Sequence, residues 1–189
     1  MNFNQKILIT ILSSISINSF ASELYLSVQN GKDSNTGTAS APFRTIQMAA
    51  VLAQPGTTVQ LASGTYTENL KTTVSGTSSA RIHYVSDSKG GAKIIGTGTE
   101  VAWLNNGSYV DIDGFDVSGS GRLGIQNEAS FVVIKNNHVH DIQVSGGCNG
   151  SGGAGIVNSN YSAPDNDIIG NVVHNIGTPG ACNGVQGIW

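Results

Sequence analysis

Three carboxylates lie close together in the chain at Asp111, Asp113 and Asp116, and a lysine follows at Lys135. Residues two apart on a strand leave the same face about 7 Å from one another. Asp111 and Asp113 are therefore expected on one outward face, with Asp116 beyond the next turn and Lys135 stacked on Asp113. Calcium held by such carboxylates, with a lysine near enough to act as base, is one chemistry this pattern allows. A surface ladder of ion pairs, worth under ~1 kcal/mol, is the other. Calcium takes about 6 to 8 oxygens and only three carboxylates are in view, so the ladder is the preferred reading. Lys135 as base and Asp111, Asp113 and Asp116 as metal ligands remain the candidates.

A second group is His138, His140 and His174. The first two share a strand face, and the third aligns with His140 in a later repeat. Imidazoles suit zinc, but no fourth ligand is evident, and histidines beside Asn and Asp also serve simply as turn residues. Asp33-Ser34-Asn35-Thr36-Gly37 begins like a calcium loop and then fails. Gly37 has no ligand side chain, and Arg44 stands where a bidentate glutamate is required. Tyr161, in a loop, is a surface aromatic able to stack on a sugar ring.

The elements that must hold these residues are repeats. Val110 to Ser118 superposes on Val132 to His140 with a shift of 22 positions, and Ile134 to Ile142 superposes on Ile168 to Ile176 with a shift of 34. Each repeat closes on Gly-Ile, at 124–125, 155–156 and 187–188. Short strands repeated at this period, with unequal insertions confined to loops, are the mark of a β-solenoid. Alternation then predicts internal columns of Ile112, Ile134 and Ile168 and of Val117, Val139 and Val173, with Asn137 and Asn171 stacked at one turn. Two earlier rungs fall at 58–70 and 82–104. Ile46, Ala49, Ala50 and Ala53 have helical spacing ended by Gln54-Pro55-Gly56, so the stretch from Phe43 to Ala53 is expected to cap the first rung. Cys148 and Cys182 each open a Cys-Asn-Gly, and their separation equals the second repeat shift. Equivalent positions on adjacent rungs are ~4.8 Å apart, so a disulfide is predicted.

With 39% hydrophobic and 11% charged residues in 189, the chain has the composition of a folded domain. Its 25 glycines favour strands and turns over long helices. A net charge of −3 with 9 Lys+Arg leaves no basic face for nucleic acid. Lys6, the apolar run Ile7 to Ile17 and Ser19-Phe20-Ala21 form a signal peptide, residues 1–21, too short to span a bilayer. Export to the periplasm or the exterior is expected, with residues 22–189 as one domain (cap about 24–56, rungs about 57–189). Trp189 stands inside an expected strand with no capping element behind it, so the chain is expected to continue further.

The segment from Leu24 to Leu70, with Tyr25-Leu26-Ser27-Val28, Asn30 to Thr38, Ala41 to Ile46, Pro55-Gly56-Thr57 and Gly64-Thr65-Tyr66, resembles the cap and first rung of pectate-lyase-like proteins. It is most similar to polysaccharide lyase family nine and to secreted proteins sharing its N-terminal domain. The resemblance implies an all-β, right-handed parallel β-helix with a short capping helix. It also implies calcium-assisted β-elimination on an acidic polysaccharide in the full-length protein. The family's calcium pocket contains an Asp-Asp pair, which this sequence lacks, so no catalytic residue is carried over. A non-catalytic β-helix that binds glycan, or serves at a surface or in adhesion, is the alternative, because one scaffold carries many functions.

Overall fold

The computed structural model of the chain describes residues 22–143, 153–177 and 185–189. The expected signal peptide and the pair Cys148 and Cys182 lie outside the described residues. Among the described residues, no helix is long and apolar enough to cross a membrane.

The chain opens with β1 (Glu23–Leu26) and one helix, α1 (Ile46–Leu52). Five rungs of three strands follow. They are β2 (Thr58–Leu61), β3 (Gly64–Thr67) and β4 (Leu70–Thr72); β5 (Ile82–Ser86), β6 (Ala92–Gly96) and β7 (Val101–Asn105); β8 (Val110–Asp113), β9 (Asp116–Ser120) and β10 (Leu123–Asn127); β11 (Val133–Lys135), β12 (His138–Gln143) and β13 (Ala154–Asn158); and β14 (Asp167–Ile169), β15 (Val172–Ile176) and β16 (Gln186–Ile188). Every third strand pairs with its equivalent, giving three parallel sheets ordered β1-β2-β5-β8-β11-β14, β3-β6-β9-β12-β15 and β4-β7-β10-β13-β16. The result is a parallel β-helix.

Pairing register converts the sequence repeats into columns. Val59, Tyr84, Ile112, Ile134 and Ile168 are mutual partners along the first sheet. Tyr66, Ile94, Val117, Val139 and Val173 run along the second, and Leu70, Trp103, Ile125, Ile156 and Ile188 along the third. Burying such columns supplies the main driving force for folding. Edge-to-face contacts from Trp103 to Tyr84 at 5.4 Å and to Phe115 at 5.1 Å fill the middle of the coil. The first two of the three Gly-Ile pairs have a steric cause. A Cβ on Gly124 would meet Val139 Cγ1 at 2.5 Å, and one on Gly155 would meet Val173 Cγ1 at 2.3 Å. Only glycine lets the third sheet approach the second this closely.

The turn between the first and second sheets recurs with a left-handed residue at Gly114 (φ 82°), Asn136 (φ 57°) and Gly170 (φ 64°). Glycine and asparagine are the residues that take this conformation most readily. Beside it, Asn137 Nδ2 donates to Asn171 Oδ1 and to the Ile112 carbonyl, each at 3.0 Å, as the repeat alignment predicts for a stacked turn. The helix is shorter than the predicted cap. Thr45 is its N-cap, and Ile46, Ala49 and Ala50 are its buried face. Phe43 lies outside it in a bridge to Leu26, buried in the core as an extended residue.

Candidate functional site

The densest group of ionisable side chains sits on the outer face of the second sheet. In β9 and β12, His138 pairs with Asp116 and Val139 with Val117, and the register then shifts so that Ile142 faces Gly119. His140 and Asp141 together oppose Ser118. This is a β-bulge, a device that re-aims side chains. Asp141 takes φ 49° there, and Asn175, its counterpart on β15, takes φ 53°. The next rung repeats the shape, with His140 opposite His174 and Ile142 opposite Ile176. The bulge turns Asp141 outward and returns Ile142 to the core.

Two imidazoles therefore converge on one carboxylate. His138 Nδ1 lies 3.2 Å from Asp116 Oδ2, and His140 Nε2 lies 3.2 Å and 3.3 Å from Asp116 Oδ1 and Oδ2. His140 Nδ1 is 2.8 Å from Asp141 Oδ2, and Asn175 Nδ2 donates to Asp141 Oδ1 at 3.1 Å. His138 Nε2 is 2.8 Å from His174 Nε2, and the rings of His138 and His140 stack at 4.1 Å. Partial burial pulls the His140 pKa down, but hydrogen bonds with Asp141 and Asp116 outweigh it and hold the imidazole above the ordinary histidine value. Hydrogen bonds from His140 and Asn175 hold Asp141 below the usual carboxylate range. Among the described residues, Asp116, His138 and His140 are the one group of three His, Cys, Asp or Glu whose ligand atoms all lie within 4.8 Å of one another.

The remaining sequence candidates are placed apart from this group. Asp111 is 7% exposed, pairs with Arg81, and lies 2.8 Å from His83 Nδ1. Arg81 reaches it from the preceding rung and also donates to the Phe131 carbonyl at 2.8 Å. Asp113 is opposite Lys135 in register, with Lys135 Nζ 3.4 Å from Asp113 Oδ2, and accepts from Asn136 Nδ2 at 2.9 Å. The three aspartates thus serve three different partners, and their oxygens do not converge. These three aspartates do not form a calcium shell, which needs several oxygens around one point. Tyr161 is exposed and meets Trp189 edge to face, ring centres 6.0 Å apart.

Sequence reasoning grouped the three histidines and left Asp116 with the other aspartates. The signal that would have joined them is an interruption of alternation. Val139 and Ile142, like Val173 and Ile176, are three apart where an unbroken strand would put its core residues two apart. The amide ladder of Asn105, Asn127 and Asn158 is a further feature that the repeat alignment does not reveal.

The sequence model of the Pel9A-like right-handed β-helix region matches residues 24–175. Pectate lyase PEL9 of Emericella nidulans is 37% identical over 110 residues, covering 57% of this chain and 25% of that protein. The uncharacterised protein YwoF of Bacillus subtilis is 30% identical over 138 residues, covering 65% and 29%. The chain thus spans less than a third of the length of these curated relatives. The crystal structure of pectate lyase Pel9A superposes with a TM-score of 0.63 at 21% identity, covering 81% of this chain and 48% of that one, a likeness of fold. With its three parallel sheets, its register columns and this match over most of its length, the chain belongs to the Pel9A-like right-handed β-helix family.

Proposed function

We propose that this chain forms the N-terminal rungs of an exported protein that acts on an acidic polysaccharide by β-elimination, with the reacting groups, and calcium where it is used, on rungs beyond those described. The observation that supports the reading is the family match over residues 24–175, together with a relative named as a pectate lyase. Pectate is a polyuronate, and β-elimination on it removes the proton α to the sugar carboxylate. A solenoid builds a site from side chains stacked over several adjacent rungs, so cap and early rungs can serve chiefly as its foundation.

The absence of a converging carboxylate shell among the described residues favours a second reading, a non-catalytic β-helix that binds glycan or acts at a surface or in adhesion. Incubating the full-length protein and the segment 22–189 with polygalacturonate and alginate, with and without calcium, separates the two. Unsaturated uronate is followed by its ultraviolet absorbance. The expected result is calcium-dependent product from the full-length protein and none from the segment. Product from the segment would move the chemistry onto Asp111, Asp113, Asp116 and Lys135. Binding without cleavage by the full-length protein would support the second reading.

A further inference from the structure

We propose that Asp116, His138 and His140 form a zinc site that ties the third rung to the fourth, with Asp141 and His174 orienting the two imidazoles. The site is separate from the polysaccharide chemistry proposed above and does not depend on it.

Zinc binds imidazole nitrogen and carboxylate oxygen at ~2.0–2.2 Å in a tetrahedron, which puts neighbouring ligand atoms ~3.3 Å apart. The two edges that meet at Asp116 measure 3.2 Å to His138 Nδ1 and 3.2 Å to His140 Nε2. The third edge, between the imidazoles, lies within 4.8 Å. Ligand spacing of this kind needs only small side-chain adjustments to close on an ion. Two imidazoles and a carboxylate suit zinc and are a poor set for calcium, which prefers oxygen alone.

The outer contacts point the same way. A metal on His140 Nε2 requires the proton on Nδ1, and Asp141 Oδ2 stands 2.8 Å from Nδ1 to receive it. Asp141 is in turn fixed by Asn175. A metal on His138 Nδ1 requires the proton on Nε2, where His174 Nε2 lies 2.8 Å away. With those tautomers, a lone pair of each imidazole faces an Asp116 oxygen across about 3.2 Å, and a cation between them satisfies both contacts. A proton on each facing nitrogen makes the same two contacts as hydrogen bonds, whereas a metal ion joins all three ligands at one point. Side-chain exposures of 38% for His138, 19% for His140 and 15% for Asp116 leave the solvent side open for entry and for a fourth ligand, as in zinc sites with three protein ligands. The bulge at His140 and Asp141 places both ligand and orienting carboxylate on the outer face.

The test uses the full chain, purified through a tag without histidine and stripped with chelator, then titrated with zinc by calorimetry and with cobalt(II) by visible absorption. One zinc equivalent per chain is expected, with the strong d–d bands of low-coordinate cobalt. His140→Ala and Asp116→Asn should each weaken zinc by about 100-fold or more, and Asp141→Asn by about 10- to 100-fold. His83→Ala, on the first sheet, should leave affinity unchanged. Circular dichroism of each metal-free variant checks folding, and the wild-type cobalt spectrum and the Asp141→Asn titration stand even where a ligand variant unfolds. No zinc binding up to millimolar concentration, weak octahedral-type cobalt bands, or unchanged affinity in folded His140→Ala and Asp116→Asn would each overturn the proposal.

Discussion

Asn127 is 1% exposed and sits in the middle of a buried polar chain. Trp103 Nε1 donates to Thr72 Oγ1, Thr72 donates to Asn105 Oδ1, Asn105 Nδ2 donates to Asn127 Oδ1, and Asn127 Nδ2 donates to Asn158 Oδ1, at 3.2, 2.8, 2.8 and 2.8 Å. The same amide donates to the Ala129 carbonyl and accepts from its N–H, closing the turn after β10. The links from Trp103 to Asn127 join buried groups and the last reaches half-buried Asn158, so the ladder costs little while whole and much when broken. Asn127→Ala removes an acceptor from Asn105 and a donor from Asn158 together. It is expected to lower stability by about 2 to 4 kcal/mol in denaturant unfolding. A loss below about 1 kcal/mol would mean that water replaces the amide.

At the scale of elements, the capping helix is held by a residue far from it in sequence. Glu68, in the turn between β3 and β4, accepts the N–H groups of Ile46 and Gln47 at 2.9 and 3.0 Å, while Thr45 caps Met48. These are orphan donors of the first helical turn, and seven residues of helix depend on such anchoring to persist. Burial raises the Glu68 pKa, and the two N–H bonds only partly oppose it. A carboxyl with a raised folded-state value binds its proton more tightly in the fold. Its contribution is therefore fully present below the unfolded value of about 4.3 and is lost as pH rises through the folded value. Glu68→Gln keeps an acceptor without the charge and is expected to flatten that part of the stability–pH curve. Glu68→Ala leaves both N–H groups without their acceptor and should cost about 1 kcal/mol below the unfolded value, with the cost shrinking as pH rises through the folded value. Thermal melts of the three proteins between about pH 4 and pH 7 check both expectations.

Over the whole molecule, the second, third and fourth rungs have a neighbour on both sides, whereas strands β14, β15 and β16 of the fifth each pair with one described strand only. Ile169, Val172, Ile188 and Trp189 are exposed there, each by half or more. Unpaired strand edges beside apolar side chains recruit further strands. The isolated segment 22–189 is expected to associate as its concentration rises, by a process that urea weakens. Sedimentation velocity across a concentration series tests this. A single monomer boundary throughout would show that the fifth rung is shielded in some other way. The opposite end is managed differently, since α1 packs against β1 and β4 and covers the first rung.

Periodicity alone specified the coil, the register of its last three rungs, the Asn137 and Asn171 turn and the position of the helix. Each is a repeating local demand: alternation for the columns, a left-handed residue at the turn, a proline-glycine stop after the helix. The repeats were clear where residues at equivalent positions are chemically alike, and fainter in the first two rungs, where Tyr66, Tyr84 and Trp103 stand in columns otherwise aliphatic. What tertiary structure alone decided is which charges meet. Arg81 claims Asp111, Lys135 claims Asp113, and a bulge of one residue hands Asp116 to two histidines. Those outcomes depend on side-chain reach between rungs and on a local break in alternation, and strand periodicity carries no information about either.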